Sequence, residues 1–124
     1  MTADPATGKP HVMVVEDHVR LRQVLELSLT TLGYRVSTFG SGAEALAALE
    51  SGTAPDVVLT DVRMPGVPDG LQLAEWLRAH RPATPVLLQT GYTNVPTRGF
   101  PVIQKPFTPE ELGTALAALG IVAA

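Results

Sequence analysis

The residues of this 124-residue chain best suited to chemistry sit where apolar runs stop. HVMVV (11–15) ends at Glu16 and Asp17, PDVVLTD (55–61) ends at Asp61, TPVLLQT (84–90) ends at Thr90, and PVIQ (101–104) is followed by Lys105. Carboxylates held close together repel one another, so they take up protons or bind a cation. With no Cys in the chain and no His cluster near these acids, the donors are all oxygen. Such a set favours a hard divalent ion such as magnesium over zinc or copper. Lys105 adds a positive donor and Thr90 a hydroxyl, both suited to phosphate oxygens. A carboxylate beside them can act as a nucleophile toward a phosphoryl group and form an acyl phosphate. Any one acid at a strand end is as readily a helix cap or a solvated turn. Five such residues at successive strand ends are not explained that way.

Positioning them requires strands that deliver side chains to one edge. HVMVV, PDVVLTD and TPVLLQT are short, continuous apolar runs, as expected for strands buried on both faces. YRVSTF (34–39) alternates enough to be an outer strand, and PVIQ is a fifth. Between them, Leu21, Val24, Leu25 and Leu32 form the stripe of an amphipathic helix that Gly33 ends. SGAE (41–44) has the Ser-x-x-Glu form of a capping box before a helix reaching about Glu50. LQLAEWLRAH (71–80) reads as a third helix. TPEE (108–111) combines a capping Thr, a Pro at the first helical position and a Glu three residues after the cap. Strands alternating with helices predict an α/β protein with a parallel sheet covered on both sides. Ligands of such sheets bind outside the carboxyl ends of the strands, where Glu16, Asp17, Asp61, Thr90 and Lys105 all fall.

Composition narrows the partners. A net charge of −3 offers no basic field for nucleic acid or an anionic membrane. No apolar run approaches the roughly 20 residues of a membrane helix, and the absence of cysteine suits a cytoplasmic protein. The expected organisation is a flexible tail over residues 1–10 and one domain over 11–122.

These motifs together resemble the receiver domain of bacterial two-component response regulators. The matching stretches are VMVVEDH with its acidic pair, VVLTDVRMPG with an acceptor Asp followed by Met and Pro, the later DG (69–70), LLQTGY with its Thr, and QKPF with its Lys. The resemblance implies a flavodoxin-like doubly wound sheet of order 2-1-3-4-5. It implies that Asp61 accepts a phosphoryl group from a phosphohistidine on a sensor histidine kinase or histidine phosphotransfer protein. Glu16, Asp17, Asp61 and the backbone carbonyl of Arg63 would then hold Mg2+. Thr90 and Lys105 would bind the phosphoryl group, and Lys105-Pro106 would be a cis peptide. The side chains of Arg63 and Tyr92 stand where the family tunes the lifetime of the phosphorylated state. The chemistry is that of a signalling phospho-acceptor rather than an enzyme acting on an external substrate. Partners exclude nucleic acid and membrane, and a homodimer is left open.

The chain also departs from that pattern. Only GYTNVPTRGFPVIQ separates Thr90 from Lys105, and the fifth strand needs its last four residues. A helical crossover usually takes a dozen residues or more, so the family's fourth helix is expected to be absent or shortened. Val102 stands where the family commonly has a switching aromatic ring, with Phe100 and Tyr92 as substitutes in the vicinity. Pro68 is an extra residue before the DG. These features are shared with receivers of hybrid kinases and with some stand-alone regulators; the initiating Met and polar tail favour a whole protein. An interaction module working without phosphorylation would keep the fold but not need the acidic site. A flavodoxin-like cofactor binder would need a hydroxyl- and glycine-rich loop where EDH stands. His11, His18 and His80 read as turn, strand-end or helix-start residues, and Trp76 as a packing residue of the third helix.

Overall fold

All five residues of β1 (His11–Val15) are buried, and the side chains of Val12 to Val15 alternate between two cores. Met13 and Val15 face one core; Val12 and Val14 face the other. This is why the run is apolar throughout rather than alternating. The computed structural model describes residues 8–92 and 94–123, so residues 1–7 of the expected tail lie outside the described residues. From β1 the chain runs through α1 (Val19–Leu32), β2 (Arg35–Phe39), α2 (Gly42–Glu50), β3 (Val57–Asp61), α3 (Gly70–His80), β4 (Val86–Thr90), β5 (Val102–Gln104) and α4 (Pro109–Ala118). The strands form one parallel sheet in the order β2-β1-β3-β4-β5.

The helices divide between the faces of that sheet. Leu25 and Leu29 of α1 pack with Leu112 and Leu116 of α4 over Val57, Leu59 and Leu87. Ala45 and Leu49 of α2 pack with Leu73, Ala74 and Leu77 of α3 over Val58, Val86 and Leu88. Truncating a fully buried leucine such as Leu29 or Leu77 to Ala would cost about 2–5 kcal/mol. No helix among the described residues is long and apolar enough to cross a membrane.

Local signals start and stop these helices. Gly33 ends α1 with φ 102°, in the left-handed region that suits glycine. The TPEE box forms in both directions at α4: Thr108 accepts from the Glu111 N–H while Glu111 accepts from the Thr108 N–H. At α2 only half the expected box is present. Ser41 accepts from the Glu44 N–H, but the Glu44 carboxylate takes the Ser41 hydroxyl instead of its backbone N–H. A box not anticipated from the sequence caps α3, where Asp69 pairs reciprocally with Gln72.

The β4–β5 connection contains no helix among its described residues, as its length and its Gly91, Pro96, Gly99 and Pro101 lead one to expect. It is fastened to α3 instead. One guanidinium nitrogen of Arg98 reaches both carboxylate oxygens of Glu75 at 2.8 Å. Arg78 donates to the Arg98 carbonyl at 2.9 Å and lies 3.8 Å over the Phe100 ring. Val102 on the edge strand is left 40% exposed. The extra Pro68 packs onto the start of α2, where a Cβ on Gly42 would meet the Pro68 carbonyl oxygen at 2.0 Å. At the opposite end of the sheet, buried His11 donates its N–H to Asp56 at 2.7 Å and sets its ring 2.6 Å from the Ser37 hydroxyl.

Candidate functional site

Strand order reverses beside β1, so the mouth of the sheet opens between the carboxyl ends of β1 and β3. Glu16 directly follows β1 and Asp61 ends β3. Both are buried, whereas Asp17 is exposed at the rim. A carboxylate oxygen from each of the three lies within 4.8 Å of the others. The surrounding open cleft of about 520 Å³ is lined by these acids together with His18, Arg63, Thr90, Tyr92 and Lys105. Every site residue anticipated from the sequence therefore meets at one cleft.

Several backbone contacts hold the acids in place. The Glu16 N–H donates to Phe39 O at 3.0 Å, and Arg22 of α1 donates to the Glu16 carbonyl at 2.8 Å. His18 caps α1 with its Nδ1, which accepts the Leu21 N–H at 3.3 Å. Its own N–H donates to Glu16 Oε2 at 3.1 Å. Behind Asp61, α3 begins so close that a Cβ on Gly70 would stand 1.4 Å from the Asp61 carbonyl oxygen. Only glycine fits there, which gives the DG pair its physical meaning.

Lys105 supplies the positive charge. Its ammonium donates to Asp61 Oδ1 at 2.7 Å and to Glu16 Oε1 at 3.2 Å. The adjoining Lys105–Pro106 peptide is cis. Burial pushes the Glu16 carboxyl up, but hydrogen bonds from Asp61 and His18 and the charge of Lys105 outweigh it and hold the group below its ordinary value. Burial also pushes Asp61 up, and Glu16, as hydrogen-bond partner and like charge, pushes further; Lys105 offsets only part, leaving it at about 7. For Lys105, burial lowers the value but the two carboxylates more than reverse that, and it ends raised. Of the two buried acids, Glu16 thus holds its charge and Asp61 is the one that protonates. The three carboxylates and the Lys105 ammonium, all ionised, together carry two negative charges, a local excess that favours a divalent cation.

Thr90 and Tyr92 are tied to each other. The Tyr92 N–H donates to Thr90 Oγ1 at 3.0 Å, while the Tyr92 ring is 70% exposed. Phe100 is half-buried under Arg78. Two further side chains reach Glu16 without being marked by the motifs: Arg22, and Gln89, which is fully buried in β4 and donates from its side-chain amide to Glu16 Oε1 at 3.3 Å. The only mark of Gln89 in the sequence is that it ends the apolar run VLL one residue before Thr90.

Known proteins are similar to this chain in sequence and fold. The profile of the response regulator receiver domain matches residues 12–117. The transcriptional regulator NtrC of Escherichia coli K12 is 39% identical over 107 residues, covering 81% of this chain and 22% of NtrC. The probable transcriptional regulator TcrX of Mycobacterium tuberculosis is 36% identical over 122 residues, covering 92% of this chain and 51% of TcrX. This chain thus spans from about a fifth to about half the length of those two relatives. Among solved structures, a receiver protein from Sinorhizobium medicae superposes with a TM-score of 0.80 at 33% identity, covering 90% of this chain and 94% of that one. The chemotaxis protein CheY4 of Vibrio cholerae does so with a TM-score of 0.78 at 31% identity, covering 89% and 98%. The chain belongs to the response regulator receiver domain family.

Proposed function

We propose that the chain works as a phosphoryl-accepting receiver of a two-component relay, with Asp61 as the acceptor. The observation that carries this reading is the placement of Asp61: a carboxylate at the end of a rigid core strand, 2.7 Å from a lysine ammonium and grouped with two further acids at an open cleft. In the transfer, an Asp61 carboxylate oxygen bonds to phosphorus as the P–N bond of a phosphohistidine breaks, and the electron pair stays on the imidazole nitrogen of the donor. The product is an acyl phosphate carrying about 1.5 to 2 negative charges in place of the carboxylate's one, so a crowded site becomes more negative by roughly one charge or less. Lys105, already within reach of the acceptor oxygen, then pairs with the phosphoryl oxygens. Thr90 turns its hydroxyl from Tyr92 toward the same group.

The oxygen-only donor set fits magnesium, which would be held by Glu16, Asp17, Asp61 and the Arg63 carbonyl. When bound, it would neutralise charge on the phosphoryl group and on the acids. The partners on this reading are a sensor histidine kinase or a histidine phosphotransfer protein.

The test is transfer from an autophosphorylated histidine kinase to this chain and to its Asp61→Asn variant. The expected result is label on the parent chain only. Equal labelling of the variant would move the acceptor elsewhere and overturn the assignment of Asp61.

A further inference from the structure

Gln89 lies in β4 in direct register with Asp61 of β3, and its side chain is fully buried. Its amide nitrogen donates to Glu16 Oε1 at 3.3 Å, while its own Oε1 has no hydrogen-bond partner among the described residues. A buried acceptor without a donor is a cost that an apolar residue of similar size would avoid. Turning the amide over would not relieve it, because Oε1 would then face the Glu16 carboxylate, acceptor against acceptor. The orientation of Gln89 is therefore dictated by Glu16.

The other donor to Glu16 Oε1 is Lys105, whose ammonium is shared with Asp61. On the receiver reading, that ammonium shifts onto the phosphoryl group once Asp61 is modified. Glu16, only 1% exposed, would then keep a buried charged oxygen with one remaining donor, the Gln89 amide. We propose that Gln89 is a positioning residue of this site: it anchors the inner oxygen of Glu16 to the sheet, so that the carboxylate keeps its place for a divalent cation while Lys105 moves. The inference rests on the receiver reading for its function, though the anchoring itself can be measured without phosphorylation.

The test uses Gln89→Leu and Gln89→Met, which remove the amide and keep the bulk. Three quantities are compared with the parent chain: the melting temperature without metal, the Mg2+ dissociation constant by titration calorimetry, and the Mg2+ concentration giving half-maximal phosphorylation by acetyl phosphate. The expected result is a melting temperature that shifts little, because losing the donor to buried Glu16 and losing the orphan acceptor act in opposite directions. Both magnesium readouts should weaken about tenfold, the low end of what residues supporting metal ligands contribute. Unchanged magnesium affinity in both variants overturns the proposal. Weaker magnesium binding accompanied by loss of the cooperative unfolding transition in both also overturns it, since Gln89 would then be a packing residue. A parent chain that binds Mg2+ but accepts no phosphoryl group refutes the receiver reading, while the calorimetry still decides whether Gln89 anchors Glu16.

Discussion

The ammonium of Lys105 stands 2.7 Å from Asp61 Oδ1 and 3.2 Å from Glu16 Oε1, so a single cation bridges the ends of β3 and β1. It occupies the electrostatic position that a metal ion and a phosphoryl group would each contest, attracting one and repelling the other. We predict that Lys105→Ala leaves Mg2+ affinity equal or greater, because a competing positive charge is gone. The same change should slow phosphorylation by acetyl phosphate about tenfold or more, because a donor to the developing charge is lost. Calorimetry and adduct kinetics on the same variant separate the two effects, and equal loss of both would contradict the role given to Lys105.

Asp61 also makes folding stability depend on pH. Its folded value of about 7 lies above its ordinary 3.8, so between these values the folded chain holds a proton that the unfolded chain releases. Stability therefore falls as pH rises across that window, by at most roughly 4 kcal/mol. The lowered Glu16 acts below 4.5 and the raised Lys105 above 10.5, so between about pH 5 and 8 the change is chiefly that of Asp61. Urea midpoints in chelator from about pH 5 to pH 8 should decline for the parent chain and stay flat for Asp61→Asn. A decline of the same size in the variant would place the titrating group elsewhere.

Gly70 is expected to tolerate no side chain. A Cβ there would stand 1.4 Å from the Asp61 carbonyl oxygen, whereas one on Gly91 would meet nothing within 4 Å. Gly70→Ala should cost more than about 3 kcal/mol or abolish folding, and Gly91→Ala should cost less than about 1 kcal/mol. Thermal denaturation of the pair measures the contrast; similar small losses would mean that α3 shifts freely away from the acceptor strand.

The Arg98–Glu75 pair does for the β4–β5 connection what a packed helix would otherwise do. Both partners are substantially exposed, so Glu75→Gln should change global stability by less than about 1 kcal/mol. Its effect should be local, with faster amide hydrogen exchange over residues 95–100 and no change in β1 or β3. Unaltered exchange in that segment would show that Phe100 and Arg78 hold it unaided.

Much of this architecture was legible because burial writes itself into residue type. β1, β3 and β4 are covered on both faces, so each shows three or more consecutive apolar residues, and the polar residues that follow mark the mouth of the sheet. The short spacing between Thr90 and Lys105 likewise foretold a crossover without a helix. What could not be read depends on contacts between distant residues. Arg98 and Glu75 are 23 positions apart, Gln89 and Glu16 are 73 apart, and nothing local pairs them. The Pro68 carbonyl is accommodated by Gly42 through packing between two connections. The half-formed box at Ser41 shows the converse, a local motif whose second bond was diverted to a neighbouring hydroxyl.

On the receiver reading, Asp61 is a nucleophile aimed into a magnesium site. The most direct test of that reading is the intact mass of the protein after incubation with acetyl phosphate, with and without Mg2+, for the parent chain and for Asp61→Asn. One phosphoryl adduct is expected on the parent chain, requiring Mg2+ and absent from the variant. An adduct that forms equally without Mg2+, or that persists in Asp61→Asn, would contradict that reading.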